Sequence, residues 1–324
     1  MTKEPDIILK RPFEVDFSEY PFKDNWLSYR DGYIHYLDEG KGPTVLLLHG
    51  NPSWSYIYRN IIKELRGECR LIALDYPGFG MSKAPSQYRF TPQEQSEAVT
   101  KLIRRMDLKN IVLVVYDWGG PIGMNYAVQN RSNLRGLVVM NTWAWPASNL
   151  QKIFSLVMGG WPIGYYLQTH RNYFAKSMLP DGIMNKEKVT PGLRKAYTDP
   201  FPTVDSRKPT YVFPGQIRKA HAWLARIESQ LPVLADVPTQ IIWGNKGDPG
   251  FGPKELRKWQ GFLKMNETEI LEDASHTVQE DRPDRVVAAI RRVLERTWAH
   301  DEVSSWKISQ RLRKRICADI SKQP

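Results

Sequence analysis

An aspartate followed by a tryptophan, Asp117-Trp118, stands between the run Ile111-Val112-Leu113-Val114-Val115-Tyr116 and the run Gly119-Gly120-Pro121-Ile122-Gly123-Met124. The first run reads as a buried strand and the second as a helix start, which puts Asp117 on a sharp strand-to-helix turn. In the G-x-S-x-G version of such a turn, a serine is lifted above the sheet and the next residue's backbone N–H is aimed at the reacting oxygen. Here a carboxylate replaces the hydroxyl. A carboxylate nucleophile attacks carbon and leaves an ester on the enzyme. That points to displacement at an sp³ carbon rather than to ordinary ester cleavage.

Two further positions lie at loop mouths where they could serve Asp117. Asp248 follows the strand candidate Thr239-Gln240-Ile241-Ile242-Trp243, and His276 follows the strand Glu267 to Leu271 and precedes a helix. The other histidines, His35, His49, His170, His221 and His300, lack that context. Nucleophile, then acid, then histidine is the chain order of the α/β-hydrolases. Asp273 and Asp281 also neighbour His276 in sequence, but neither follows the right strand, and both read as surface or helix-capping residues.

These positions need a scaffold, and the chain supplies alternating elements. Trp26 to Arg30 and Tyr33 to Leu37 flank Asp31-Gly32, a hairpin signal. Thr44 to Leu48 is a continuous apolar run that suits a strand buried on both faces. His49-Gly50-Asn51-Pro52-Ser53 is the turn after it, with Asn51–Pro52 a candidate cis bond. Leu71 to Leu74 runs into the loop Asp75-Tyr76-Pro77-Gly78, and Thr91 with Glu94 forms a capping box for a helix to about Met106. Gly136 to Met140 is the next strand. Such alternation predicts a mostly parallel sheet with helices on both faces. From Trp143 to about Pro232 no short apolar strand recurs, which predicts a helical cap inserted at the sheet's C-terminal edge. The expected division is a core over 1–142 and 233–299, a cap over 143–232, and a basic tail over 300–324.

In the tail, Leu312, Ile316 and Ile320 form a narrow helical stripe opposite basic residues. Packing on the parent domain or a sister subunit is the expectation for it, with membrane-surface contact the lesser alternative.

Composition narrows the class. Hydrophobic residues make up 41% of the 324 and charged residues 25%, so a globular protein is expected. A formal net charge of +11 raises nucleic-acid binding, but the basic residues are scattered and interleave with no nucleic-acid motif. Cys69 and Cys317 have no metal-ligand spacing and imply no disulfide framework. No stretch is apolar for the roughly 18 residues of a membrane span, and no apolar segment follows Met1, so a cytoplasmic protein is expected.

His49-Gly50-Asn51-Pro52, Asp117-Trp118-Gly119-Gly120, Trp243-Gly244 with Asp248, and His276-Thr277-Val278-Gln279-Glu280-Asp281 together resemble the haloalkane dehalogenases of the α/β-hydrolase superfamily. The resemblance runs from about Tyr20 to Leu294. It implies Asp117 as nucleophile, His276 as base, Asp248 as the acid that orients His276, and Asn51 with Trp118 as the halide-binding pair. Negative charge builds on the leaving atom as the carbon–halogen bond breaks, and two neutral N–H donors can meet it and still release it. The backbone N–H groups of the same two residues would form the oxyanion hole for ester hydrolysis. Substrate would be a small apolar haloalkane, with water as co-substrate and halide as product; no metal or organic cofactor is needed, and none has a binding motif. A homo-oligomer is a further implication.

Two departures from the family pattern concern the acid. One of the two positions the family uses falls at Asn141, which cannot carry a negative charge, leaving Asp248. The segment Gly244-Asn245-Lys246-Gly247-Asp248 is one residue longer than the usual spacing. Asn141-Thr142-Trp143 resembles the third subfamily of these dehalogenases. Epoxide hydrolases share the Asp–His–Asp set and use two cap tyrosines, for which Tyr165, Tyr166, Tyr173, Tyr197 and Tyr211 are candidates, but they usually carry a bulky apolar residue where Asn51 stands. Coelenterazine-type luciferases carry a glutamate at the place of Asn141. A non-catalytic scaffold is a third alternative, disfavoured by the intact triad. Trp143, Phe154, Met158, Trp161 and Trp223 are candidate pocket walls, with core packing as the competing role for each.

Overall fold

A computed structural model describes residues 9–246 and 250–298. Eight strands form one sheet in the order β1-β2-β4-β3-β5-β6-β7-β8. They are β1 Asn25–Tyr29, β2 Gly32–Glu39, β3 Thr44–Leu48, β4 Arg70–Leu74, β5 Ile111–Asp117, β6 Leu134–Thr142, β7 Thr239–Gly244 and β8 Asn266–Leu271. The β1–β2 and β2–β4 pairings are antiparallel, and every pairing from β4 to β8 is parallel. The strand-by-strand reading is borne out, with one shift. The hairpin pairs Tyr29 with Gly32, so its two loop residues are Arg30 and Asp31, and Arg30 takes φ 55. Gly32 has to be a glycine because a Cβ there would stand 2.4 Å from the carbonyl of Lys83.

The apolar runs explain why the central strands β3, β5 and β6 are buried on both faces. Alternate residues point to opposite sides: Leu46, Leu48, Leu113, Val115 and Val139 enter one apolar cluster, and Val45, Leu47, Val112, Val114 and Val138 the other. Each such side chain is worth about 1.5–3 kcal/mol on burial. The helices that cover the faces include α1 Arg59–Leu65, α2 Pro92–Arg105 and α3 Gly119–Gln129. α2 starts where expected, with Thr91 accepting from the Glu94 N–H and the Glu94 carboxylate from the Thr91 N–H.

Between β6 and β7 the described chain is helical. It contains α4 Asn149–Met158, α5 Pro191–Thr198, α6 Lys208–Lys219 and α7 His221–Gln230. After β7 come α8 Pro253–Phe262 and α9 Pro283–Trp298. No described helix is long and apolar enough to cross a membrane. The tail over 300–324, with Cys317, lies outside the described residues.

Buried polar contacts tie the helical segment between β6 and β7 to the elements around the sheet. Arg59 on α1 makes two hydrogen bonds, of 2.6 and 3.0 Å, to the Glu280 carboxylate, and the Tyr197 hydroxyl of α5 donates to the same carboxylate at 2.5 Å. The Trp54 indole donates to the Ala196 carbonyl at 2.9 Å. Burial opposes the charge on Arg59, and the Glu280 carboxylate more than offsets this and holds the guanidinium ionised.

Candidate active site

Asp117 ends β5 with φ 48, a left-handed backbone that costs a non-glycine residue and that close neighbours hold in place. The constraint is visible on both sides. The Thr142 hydroxyl donates to the Asp117 carbonyl, and Gly120 follows closely enough that a Cβ on it would fall inside the Thr142 side chain. On the other side, a Cβ on Gly50 would lie 2.3 Å from Asp117 Oδ1. The glycines of both motifs therefore let two loops close on one carboxylate.

The β3 loop brings Asn51 to that carboxylate. Its backbone N–H donates to Asp117 Oδ1 at 2.7 Å, and Asn51–Pro52 is cis. Trp118 caps α3 at its N-terminus, where N–H groups have no intrahelical acceptor. His49 supports the loop from below: its Nδ1–H donates to the Gly50 carbonyl at 2.8 Å, and its Nε2 accepts the Tyr76 N–H at 3.0 Å. Burial pushes the His49 pKa down to about 4, against the pull of Asp75, so the ring is neutral at pH 7.

His276 reaches the nucleophile from the loop after β8. Its Nε2 lies 3.5 Å from Asp117 Oδ2, and its ring is held between Tyr116, at 4.9 Å between centroids, and Phe251, stacked at 5.0 Å. Asp117, His276, Asn51 and Trp118 thus meet at one place. Asp248 lies outside the described residues, which stop at Lys246, just past the C-terminal end of β7, and resume at Gly250. Asn141 serves the scaffold: its side-chain amide exchanges two hydrogen bonds with Gly244, of 2.9 and 2.8 Å, and ties β6 to the end of β7.

The four residues sit in a cavity of about 380 Å³, a size that takes a small organic molecule. Its remaining walls are mainly apolar, among them Trp143, Phe154, Phe174, Leu179 and Phe251. Of the candidate walls, Trp143 and Phe154 line the cavity and Trp223 packs in the core. Met158 ends α4 without lining the cavity, and Trp161 neither lines it nor joins the core, being 77% exposed. None of the five cap tyrosines lines it; Tyr197 is occupied by Glu280 and Tyr165 packs edge-on against Tyr211.

Asp281 corrects the reading of it as a surface or capping residue. It is buried, and its carboxylate accepts the N–H and hydroxyl of Ser275 at 2.8 and 2.9 Å and the N–H of Met184 at 2.7 Å. Ser275 directly precedes His276, so Asp281 ties the histidine loop to Met184, in the helical segment between β6 and β7. The missed signal was its neighbour Glu280: two adjacent acids two positions before a helix-starting proline look solvated until both find partners in other elements. Asp273 does lie at the surface, paired with Arg282.

Known proteins resemble this chain in sequence and fold. A family model described as the alpha/beta hydrolase fold matches residues 43–283. Haloalkane dehalogenase 2 of Mycobacterium tuberculosis (strain ATCC 25618 / H37Rv) is 38% identical over 281 residues, 86% of this chain and 97% of that protein. A cis-3-alkyl-4-alkyloxetan-2-one decarboxylase of Shewanella oneidensis is 32% identical over 289 residues, 86% of this chain and 90% of the relative. Among solved structures, haloalkane dehalogenase DbeA of Bradyrhizobium elkani superposes with a TM-score of 0.76 at 22% identity, over 86% of this chain and 100% of that one. Haloalkane dehalogenase DatA of Agrobacterium tumefaciens gives 0.73 at 24% identity, over 85% and 97%. At those identities the two structures speak for the fold. The chain therefore belongs to the α/β-hydrolase fold family. Within it, the chain groups with the haloalkane dehalogenases, the family its motifs resemble.

Proposed function

We propose that this chain hydrolyses haloalkanes to alcohol and halide through an ester on Asp117. One observation carries the reading: Asp117 Oδ1 is held by the Asn51 N–H at 2.7 Å while Oδ2 faces His276 Nε2 at 3.5 Å, in an apolar cavity. An Asp117 oxygen attacks the halogen-bearing carbon, and the carbon–halogen bond breaks with its electron pair leaving as halide. The side-chain N–H groups of Asn51 and Trp118 receive that charge. Water then gives a proton to His276 and attacks the carbonyl carbon of the ester. The backbone N–H groups of Asn51 and Trp118 hold the oxyanion, and Asp248 steadies the imidazolium. The acyl–oxygen bond breaks, the alcohol takes the proton from His276, and the carboxylic acid left on Asp117 loses its proton to solvent, which restores the carboxylate.

In this reading residues 143–232 form the cap that walls the cavity over a core of 1–142 and 233–299. The buried Cys69, whose thiol pKa burial pushes up to about 12, is inert and suits a cytoplasmic enzyme. That the five cap tyrosines stand away from the cavity wall supports dehalogenation over epoxide opening. A second reading, decarboxylation of an oxetan-2-one, rests on the Shewanella relative. The test is product analysis with bromoalkanes, an epoxide and a 3,4-dialkyl oxetan-2-one, using wild type and Asp117→Ala. Halide from wild type and none from the variant is expected; diol or carbon dioxide without halide would sink the dehalogenase reading.

A further inference from the structure

α4 is laid on the protein the wrong way round for a helix of a closed globule. Its buried side is small and polar: Ser155 donates to the Pro214 carbonyl at 2.7 Å, and Gly159, just past its end, approaches α6 so closely that a Cβ would stand 2.2 Å from the Gly215 nitrogen. Its large apolar residues, Leu150, Ile153, Leu156 and Val157, are exposed. Leu150, Ile153 and Val157 follow the i, i+3, i+7 spacing of a face that seeks a partner. The chain continues the same patch with Trp161, Ile163 and Tyr166, all more than half exposed.

The charge on this segment has one sign. Between Asp117 and Asp181 the sequence contains no aspartate or glutamate, while α4 carries Lys152 and the chain after it carries Arg171 in a turn and Lys176 in the short helix Phe174–Met178. The patch also borders the cavity: Leu150, Phe154 and Met178 line it, and Phe154 stacks on Phe174, which lines it too. An outward apolar helix face, an exposed tryptophan and tyrosine, and cations in a stretch of sequence without acidic residues are what a helix lying in a lipid headgroup region presents. Pairing with a second copy is disfavoured, because an isologous contact would bring the same cations together with no carboxylate in the segment to offset them.

We propose that this face docks on an anionic phospholipid surface, with the cavity mouth opening toward the acyl chains. Docking stands apart from the proposed reaction; only the delivery of an apolar substrate from the bilayer rests on that reading.

The test is flotation of the full-length protein with vesicles of phosphatidylcholine alone or mixed with phosphatidylglycerol. Wild type should float with the mixed vesicles and release at high salt. Ile153→Gln/Leu156→Gln/Trp161→Ser should partition at least about 10-fold more weakly, since three apolar contacts are lost, yet hydrolyse a water-soluble substrate at the wild-type rate. Lys152→Glu/Lys176→Glu, which leaves the apolar face intact, should lose the preference for anionic vesicles. Wild type that stays with neither vesicle overturns the proposal. So does a triple variant that floats like wild type, which would place the contact elsewhere, the basic C-terminal residues included. Wild-type self-association abolished by the triple variant, without vesicle binding, would assign the face to a second copy instead.

Discussion

The backbone N–H of Asn51 donates to Oδ1 of Asp117 at 2.7 Å although 66 positions separate the two residues in the chain. This bond leaves the second oxygen of Asp117 as the one directed at His276. It also fixes where the Asn51 side chain stands, at the wall of the same cavity that Trp118 lines. The carboxylate is thereby divided into an oxygen held by the Asn51 N–H and one that faces His276, as the proposed reaction requires.

Removal of a side-chain donor should slow halide departure and little else. Asn51→Ala keeps its backbone N–H, and Trp118→Phe keeps an aromatic ring. Each should lower the rate of halide release by roughly 100-fold, the cost of one donor at a developing charge, with the melting temperature nearly unchanged. Rapid-mixing halide measurements on the two variants check this; unchanged rates would remove the pair from the site.

Asp281 should act on His276 through Ser275. Asp281→Ala strands the Ser275 and Met184 N–H groups, and hydrogen bonds to a charged acceptor are worth about 1.5–3 kcal/mol each. Stability should fall by about 3 kcal/mol, and ester hydrolysis should slow by roughly 10-fold as the histidine loop loosens. Asp281→Asn, which keeps an acceptor, should recover part of both. Denaturant unfolding and single-turnover kinetics separate these effects, and a variant with wild-type turnover would reduce Asp281 to a purely structural tie.

His49 predicts an acid limb in the stability profile. Burial holds its folded pKa at about 4, below the ordinary value of 6.5, so the unfolded chain binds this proton more readily than the folded one. Stability then rises with pH across the window from 4 to 6.5 and is lost as pH falls through it, by about 3 kcal/mol in total. Unfolding curves for wild type and His49→Gln over that window check the sign. The variant should be less stable at pH 7 yet have the flatter acid limb; an equal slope in both would assign the limb to other groups.

Much of the site was legible because each motif ends a strand. Asn51 and Asp117 follow runs whose apolar character marks them as buried strands, His276 follows the more polar edge strand β8, and a parallel sheet brings the C-terminal ends of its strands to one edge. Packing between distant elements was not legible. Asp281 is acidic and flanks a helix, so its burial depends on Ser275 and Met184 arriving from two other segments. Trp161 reads as a wall or core residue by its size, yet α4 turns its small residues inward and leaves that tryptophan in solvent. Asn141 announced only what it cannot do; its clamp on Gly244 needed the register of β6 against β7.

The central claim, a covalent ester on Asp117 opened by His276, is tested most directly with His276→Phe and a bromoalkane. Halide release should stop after one equivalent per active site, and the peptide containing Asp117 should carry the alkyl mass. Continued halide turnover by this variant, or arrest with Asp117 unmodified, would contradict the account.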